Sequence, residues 1–204
     1  MDKTKEKIMS KAIEMFFEQG IKETTMDNLS GELGMSKKTL YKYFAHKDDL
    51  VYESVRFLFK KISAELDRIE QEDLNPYEDF FKVRQMINSM VRQSGLATYE
   101  QFKKYYPDLV EEMERNKRER IFAFLENNFD KGIRAGFYKK NLQRDFYKRI
   151  FFGFKKIACD ESIFPADPVK KFIYGEMFLK MFLQAISTKK GRKELKTILK
   201  KHKL

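Results

Sequence analysis

The sequence predicts an all-α protein: an N-terminal three-helix unit built around a helix-turn-helix, then a larger C-terminal helical bundle, about nine or ten helices in total. Three observations lead there. Apolar residues recur at three- and four-residue spacing, as in Ile8, Ala12, Met15 and Phe16, and no segment alternates convincingly as a half-buried strand does. Only four prolines and nine glycines interrupt 204 residues, so the periodic segments can run long. Where interruptions do occur, they sit beside residues suited to starting or stopping helices.

The elements follow in order. A first helix runs from about Lys3 to Gln19 and stops at Gly20, which tolerates a left-handed cap. Thr25 offers a hydroxyl cap to a short helix carrying Leu29 and Leu33, which Gly34 ends. Ser36 caps a third helix over about Lys37 to Tyr43. The fourth starts near Lys47, with Asp48 and Asp49 in its first turn where carboxylates suit the helix dipole. Its apolar stripe, Val55, Leu58, Ile62, Leu66 and Ile69, reaches about Gln71 and carries the chain out of the first unit. Asn75-Pro76-Tyr77-Glu78 combines a cap, a proline at the first helical position and a glutamate two residues later; the helix it opens ends or bends at Gly95. A short segment with Tyr99 and Phe102 precedes Pro107, which opens a helix reaching about Ala135 and closed by Gly136. Further helices span roughly Leu142 to Ala158 and Asp167 to Ser187, and Arg192 to Lys201 adds a last turn or two.

Composition narrows the function. Hydrophobic residues at 42% and charged residues at 36% suffice for a core and a solvated surface. No apolar run approaches the roughly 20 residues of a spanning helix, and Met1 to Lys5 lacks the apolar run of a signal peptide, so a cytoplasmic protein with no membrane partner is expected. The single cysteine, Cys159, forms no intrachain disulfide and reads as a buried small hydrophobe; with only His46 and His202 besides, neither a structural metal nor a cofactor is expected. The net charge of +11 favours a polyanionic partner, though only a local patch tracks phosphates. Lys37, Lys38, Lys42 and Lys47 form one acid-free run. The lysine-rich stretch from Lys189 to Lys203 reads as a mobile, solvated end, with secondary DNA contact as the alternative.

The segment from Thr24 to Phe44 holds two short helices joined by a glycine-containing turn, as a helix-turn-helix requires. Leu29, Leu33, Met35, Leu40 and Phe44 fall on its inner face. Lys37, Lys38, Thr39, Tyr41, Lys42 and Tyr43 are left outward, ammonium and hydroxyl groups suited to phosphates and base edges in a major groove about 12 Å wide.

The ordered set Phe16-Phe17-Glu18-Gln19-Gly20, Thr24-Thr25, Leu33-Gly34-Met35-Ser36, Thr39-Leu40-Tyr41-Lys42-Tyr43-Phe44 and Lys47-Asp48-Asp49-Leu50 resembles the tetracycline-repressor (TetR/AcrR) family of bacterial transcriptional regulators. The resemblance is close over about Ile8 to Val55. Beyond Arg56 it is architectural, carried by Tyr106-Pro107-Asp108-Leu109 and the segment from Gly132 to Tyr138. It implies a homodimer that reads a palindromic operator on double-stranded DNA, usually as a repressor, and releases it when an effector enters the C-terminal domain. It implies phosphate contacts for Thr25, Tyr41, Tyr43 and Lys47, base contacts for Lys37, Lys38 and Thr39, and dimer contacts on the last two long helices, where Phe152, Phe172, Ile173, Met177 and Met181 lie. The domains are then 1–50 for DNA binding and 51–204 for sensing and dimerisation. Two positions depart from the family pattern: His46 stands where a small cap such as Ser or Asn is usual at the fourth helix, and Gly31 costs that short helix about 1 kcal/mol relative to Ala.

Twenty phenylalanines, ten tyrosines and ten methionines exceed what a close-packed bundle needs, which suggests a mostly apolar site for a small hydrophobic effector. Helical faces nominate Met86, Met90, Tyr99, Phe102, Tyr105, Phe122, Tyr147 and Phe151 as its lining, the tyrosines supplying polar groups. Two other classes compete. An enzyme needs a base, nucleophile or metal constellation that the C-terminal region does not offer. A DNA-binding dimeric adaptor without an effector is the alternative kept.

Overall fold

A computed structural model describes residues 2–72, 74–91, 96–158, 160, 162–164 and 167–202. Gly95 and Cys159 lie outside the described residues, as does the side chain of Met90. Among the described residues the chain forms ten helices: α1 (Lys3–Gln19), α2 (Met26–Glu32), α3 (Lys37–Tyr43), α4 (Lys47–Gln71), α5 (Pro76–Val91), α6 (Leu96–Tyr105), α7 (Pro107–Arg134), α8 (Arg144–Ala158), α9 (Pro168–Ile186) and α10 (Lys189–Lys201). The one extended pairing among them is an antiparallel bridge between Tyr138 and Ser187. The all-α class with an N-terminal helix-turn-helix stands. No described helix is long and apolar enough to cross a membrane.

The starts come from side chains that capture otherwise orphaned amides. Asp2 accepts from the Thr4 amide at 2.8 Å, Thr25 from Asn28 at 3.0 Å, Ser36 from Thr39 at 3.1 Å and Thr188 from Gly191 at 3.0 Å. At the start of α4 the cap works in reverse: His46 contributes no capping oxygen, but the Asp49 carboxylate accepts from the His46 amide at 3.1 Å. That is the second half of a capping box, and it offsets the loss of the usual hydroxyl.

The chain divides into two compact units that do not follow chain order. The first comprises residues 1–68 and 84–116, the second 69–83 and 117–204, so α4, α5 and α7 each contribute to both. In the first unit, Ile8, Ala12 and Phe16 of α1, Leu29 of α2, Leu40 of α3, and Leu50, Val51 and Val55 of α4 share one buried core with Phe102 and Leu109. The helix-turn-helix is thus braced by α6 and the start of α7.

In the second unit the core joins Tyr77 and Phe80 of α5, Leu125 and Phe129 of α7, Phe182 and Leu183 of α9, and Leu195 and Ile198 of α10. The lysine-rich end is therefore not a mobile tail, because apolar residues at i, i+3 and i+4 anchor it as a capped helix of 13 residues. The approach is close: a methyl group built on Gly191 would lie 2.1 Å from the Phe137 carbonyl oxygen and 2.5 Å from the Tyr77 hydroxyl. Beneath this core runs a buried polar chain. Tyr138 donates to the side-chain oxygen of Asn128 at 3.0 Å, Asn128 donates to the Pro76 carbonyl at 2.8 Å and to the Asp79 carboxylate at 3.1 Å, and Lys131 approaches the same carboxylate at 3.3 Å. Burial pushes Asp79 up to about 6, against the opposing pull of Lys131 and Asn128 and with help from Glu70.

Two outcomes follow for stability. Gly31→Ala, which meets nothing within 4 Å on exposed α2, should stabilise the fold by up to about 1 kcal/mol. Gly191→Ala makes the same gain in helix propensity yet should destabilise by about 1–3 kcal/mol through overpacking. Urea midpoints of opposite sign are the check. For Asp79, the folded chain holds the proton more tightly than the unfolded chain, whose carboxyl keeps the ordinary 3.8, so its contribution favours the fold most at low pH and declines as pH rises through about 6. Asp79→Asn should remove that decline, so the variant gains on the parent between about pH 4 and 6.5 in urea melts. A constant difference across that range would contradict the assignment.

Candidate nucleic-acid interface

The turn between α2 and α3 is set by backbone geometry. Gly34 takes φ of 62°, a left-handed conformation that side chains disfavour. This lets the Gly34 amide reach the Gly31 carbonyl and the Met35 amide reach the Ser30 carbonyl, both at 3.0 Å, the paired bonds of a Schellman ending. The chain then enters the Ser36 cap and α3 at once. Leu40 is fully buried and Phe44 nearly so, which fixes the rotation of α3 about its axis.

That rotation leaves Lys37, Lys38, Tyr41 and Lys42 exposed. Lys37 forms an exposed ion pair with Asp27 at 2.6 Å, a contact worth under about 1 kcal/mol and readily exchanged for a phosphate. Thr39 is half-buried, and its hydroxyl lies 2.8 Å from the Ser36 hydroxyl. Thr25 is exposed, its hydroxyl oxygen engaged as the α2 cap. Tyr43 turns out half-buried, its ring packed on the first core rather than pointing fully outward.

The turn between α1 and α2 is held from two sides. The Lys47 ammonium donates to the Ile21 carbonyl at 2.5 Å and to the Lys22 carbonyl at 3.3 Å. Burial lowers its pKa from the ordinary value, while Glu23 and Asp48 pull the other way. From α6, the side-chain oxygen of Gln101 accepts from the amides of Ile21 at 2.7 Å and Lys22 at 3.3 Å. Nothing in the sequence marks Gln101, about eighty positions away, as part of this interface. Two further contacts tie the unit: the Tyr106 hydroxyl donates to Asp48 at 2.7 Å, and Arg56 makes a two-pronged pair with Glu112 at 2.9 and 2.7 Å.

The residues nominated for an effector fall in different surroundings. In the first unit, Met86 and Tyr99 are half-buried, Phe102 is a core residue and Tyr105 is exposed. In the second, Phe122 meets Phe152 edge-on at 6.1 Å, and Tyr147 and Phe151 lie 6.0 and 5.0 Å from the Phe182 ring. Of the nominated dimer residues, Phe152 is half-buried, whereas Phe172, Ile173, Met177 and Met181 of α9 are 47–62% exposed.

Known proteins agree with this architecture. The family model described as bacterial regulatory proteins, tetR family, matches residues 8–53. The HTH-type transcriptional regulator YvaF of Bacillus subtilis is 34% identical over 112 residues, a match spanning 53% of this chain and 55% of that relative, or about half the length of each. The HTH-type transcriptional repressor KstR2 of Mycobacterium tuberculosis is 23% identical over 200 residues, spanning 90% of this chain and 92% of the relative; its solved structure, described as a ketosteroid transcriptional regulator, superposes with a TM-score of 0.54, covering 93% of this chain and 97% of that one at 19% identity. A transcriptional regulator from Cytophaga hutchinsonii shares the fold with a TM-score of 0.72, covering 92% of this chain and all of that one at 20% identity. The helix-turn-helix is thus matched by the model for the tetR family of bacterial regulatory proteins, and the chain shares its fold with solved transcriptional regulators over nine-tenths of its length.

Proposed function

We propose that the protein is a cytoplasmic homodimeric repressor that reads a palindromic operator with α3 and releases it when a small hydrophobic effector binds within residues 51–204. Residues 1–50 then form the reading head and 51–204 the sensing and dimerising part. The observation that carries the reading is the outward face of α3, where Lys38, Tyr41 and Lys42 are exposed while Leu40 is locked into the core. Lys37, Lys38 and Thr39, at the N-terminal end of that helix, reach base edges; Thr25, Tyr41, Lys42 and the hydroxyl of Tyr43 hold phosphates. Lys47 holds phosphate while also fixing the α1–α2 turn, since an ammonium has three donors and two carbonyls engage it from one side.

A single recognition helix reads too few base pairs for a unique site, so two copies are needed. Ile173, Met177 and Met181 support a two-fold interface on α9, being exposed at four-residue spacing on one face. For the effector, the second unit is favoured, beside Phe122, Tyr147 and Phe151, because Phe102 is closed within the first core and Tyr105 faces outward. Likeness to KstR2, described as a ketosteroid regulator, supports a hydrophobic molecule over a sugar or nucleotide. The effector acts only through unequal affinity for the DNA-bound and free states, and by reciprocity operator DNA weakens effector binding by the same factor.

Fluorescence anisotropy on a selected operator tests the DNA reading. Tyr41→Ala should weaken binding to all sequences about 10- to 100-fold, Lys38→Ala should also relax base preference, and a Met177→Lys, Met181→Lys double variant should sediment as a monomer with similarly weakened binding. Full operator affinity in Tyr41→Ala, Lys47→Ala would sink the assignment. For the effector, thermal-shift titration with steroid-like and aromatic compounds should raise Tm dose-dependently for at least one class. A flat response across both classes, with operator binding intact, would favour the adaptor without an effector.

A further inference from the structure

The second unit presents a basic face that the recognition helix does not use. Along α10, Lys189, Arg192, Lys193, Lys196 and Lys200 are all exposed. At 100° per residue they fall within an arc of about 100°, in a stripe about 16 Å long. The helix has one acid, Glu194, which lies off that arc and accepts from the Asn75 side-chain amide at 2.8 Å. The remaining cations of α10 face elsewhere: Lys190 donates to the Ala135 carbonyl at 2.9 Å, and Lys201 pairs with Glu78 at 2.8 Å.

The stripe is held rigidly. Thr188 caps its start while donating to the Gly136 carbonyl at 2.8 Å, and Gly191 sits against the Phe137 backbone. Leu195, Ile198 and Leu199 are buried along its length. At the far end His202 stacks on Phe81 with ring centroids 4.5 Å apart and lies 2.7 Å from a Glu78 oxygen. These anchors hold the five cations in a fixed arrangement.

We propose that α10 is a second, sequence-independent contact for the phosphate backbone of duplex DNA. Charge complementarity selects the partner. The apolar edge of the helix is consumed by the core, so it has nothing to insert into a lipid surface as a membrane-bound amphipathic helix does. The stripe carries no aromatic side chain, so it offers no platform for the unstacked bases of a single strand. What remains is five cations on a rigid line about 16 Å long, close to the span of five phosphates at about 3.4 Å rise per strand. The choice of DNA rests on the proposed DNA-binding function, and the experiment separates the two.

Binding to a random-sequence duplex is measured against salt for the full chain, for a K189Q/R192Q/K193Q/K196Q/K200Q variant, for a K189R/K193R/K196R/K200R variant and for Lys38→Ala. Each neutralised phosphate adds about 0.9 to the slope of log affinity against log salt. The glutamine variant should lose at least about 2 from that slope and bind at least tenfold more weakly near 0.1 M salt, with unchanged melting. The arginine variant should keep the parent slope, and Lys38→Ala should retain the α10-dependent part. An unchanged slope in the glutamine variant with DNA binding intact overturns this proposal alone; absence of any duplex binding by the parent overturns the DNA-binding function and this proposal with it. Charge-dependent capture by anionic phosphatidylglycerol vesicles, with no change in DNA slope, would assign the face to a membrane and overturn the proposal equally.

Discussion

The helix-turn-helix unit depends on how five residues, Gly20 to Thr24, satisfy their backbone groups. They are too few to form a helix, and Ile21 is buried, so its amide and carbonyl must find partners outside regular structure. Lys47 supplies the donor and Gln101 the acceptor, one from the start of α4 and the other from α6. Thr24 completes the set by donating its hydroxyl to the Gly20 carbonyl at 2.8 Å. The next residue, Thr25, is the cap that starts α2, and the Schellman ending of α2 aims α3. An error in this turn would propagate through two rigid helices to the residues proposed to face DNA.

Lys47 illustrates how a family role and a local role can share one side chain. The resemblance assigns it to phosphate, yet its ammonium is drawn inward by two carbonyls and partly dehydrated, which lowers its pKa. An unpaired ammonium in that position would be costly. Two carbonyl acceptors make it tolerable while leaving a third hydrogen available, so the same residue can fix the turn and still present charge near the proposed DNA-facing surface.

Most of the fold was legible because its boundaries are written in local chemistry. Thr25, Ser36, Pro76, Pro107 and Gly136 each act on neighbours within a few residues, and the structure starts or stops helices at them. The inner face of the helix-turn-helix was legible for the same reason, since helical spacing alone put Leu29, Leu40 and Phe44 together. The remainder required long-range information. Gln101 is an ordinary surface-type residue until Ile21 is brought beside it, and Asp79 reads as a first-turn acid until Asn128 and Lys131 close around it. Tyr43 is half-buried rather than outward: helical phase says which way a side chain leaves the backbone, not how far its ring lies down on the core. The lysine-rich stretch looks solvated by charge alone, while the three- and four-residue spacing of Leu195, Ile198 and Leu199 marks it as a packed helix.

The second unit carries one more sign of what surrounds it in use. On α9, Phe178, Leu179, Phe182 and Leu183 face the core, while Ile173, Met177 and Met181 are exposed on the opposite side. A helix apolar on both sides is ordinarily covered on both. The neighbouring α8 repeats the pattern, with Phe146, Ile150 and Ile157 exposed at helical spacing and Gly153 between them on the same face. Among the described residues a methyl group on Gly153 would meet nothing within 4 Å, so no contact between them explains a residue that costs about 1 kcal/mol of helix propensity there. The proposed second copy would explain it: where two helices cross closely at an interface, the absence of a side chain lets the backbones approach, and the flanking phenylalanine and isoleucines would bury against their symmetry mates. The glycine and the methionine stripe thus support the same proposal from opposite directions, one as room left open and the other as apolar surface left uncovered.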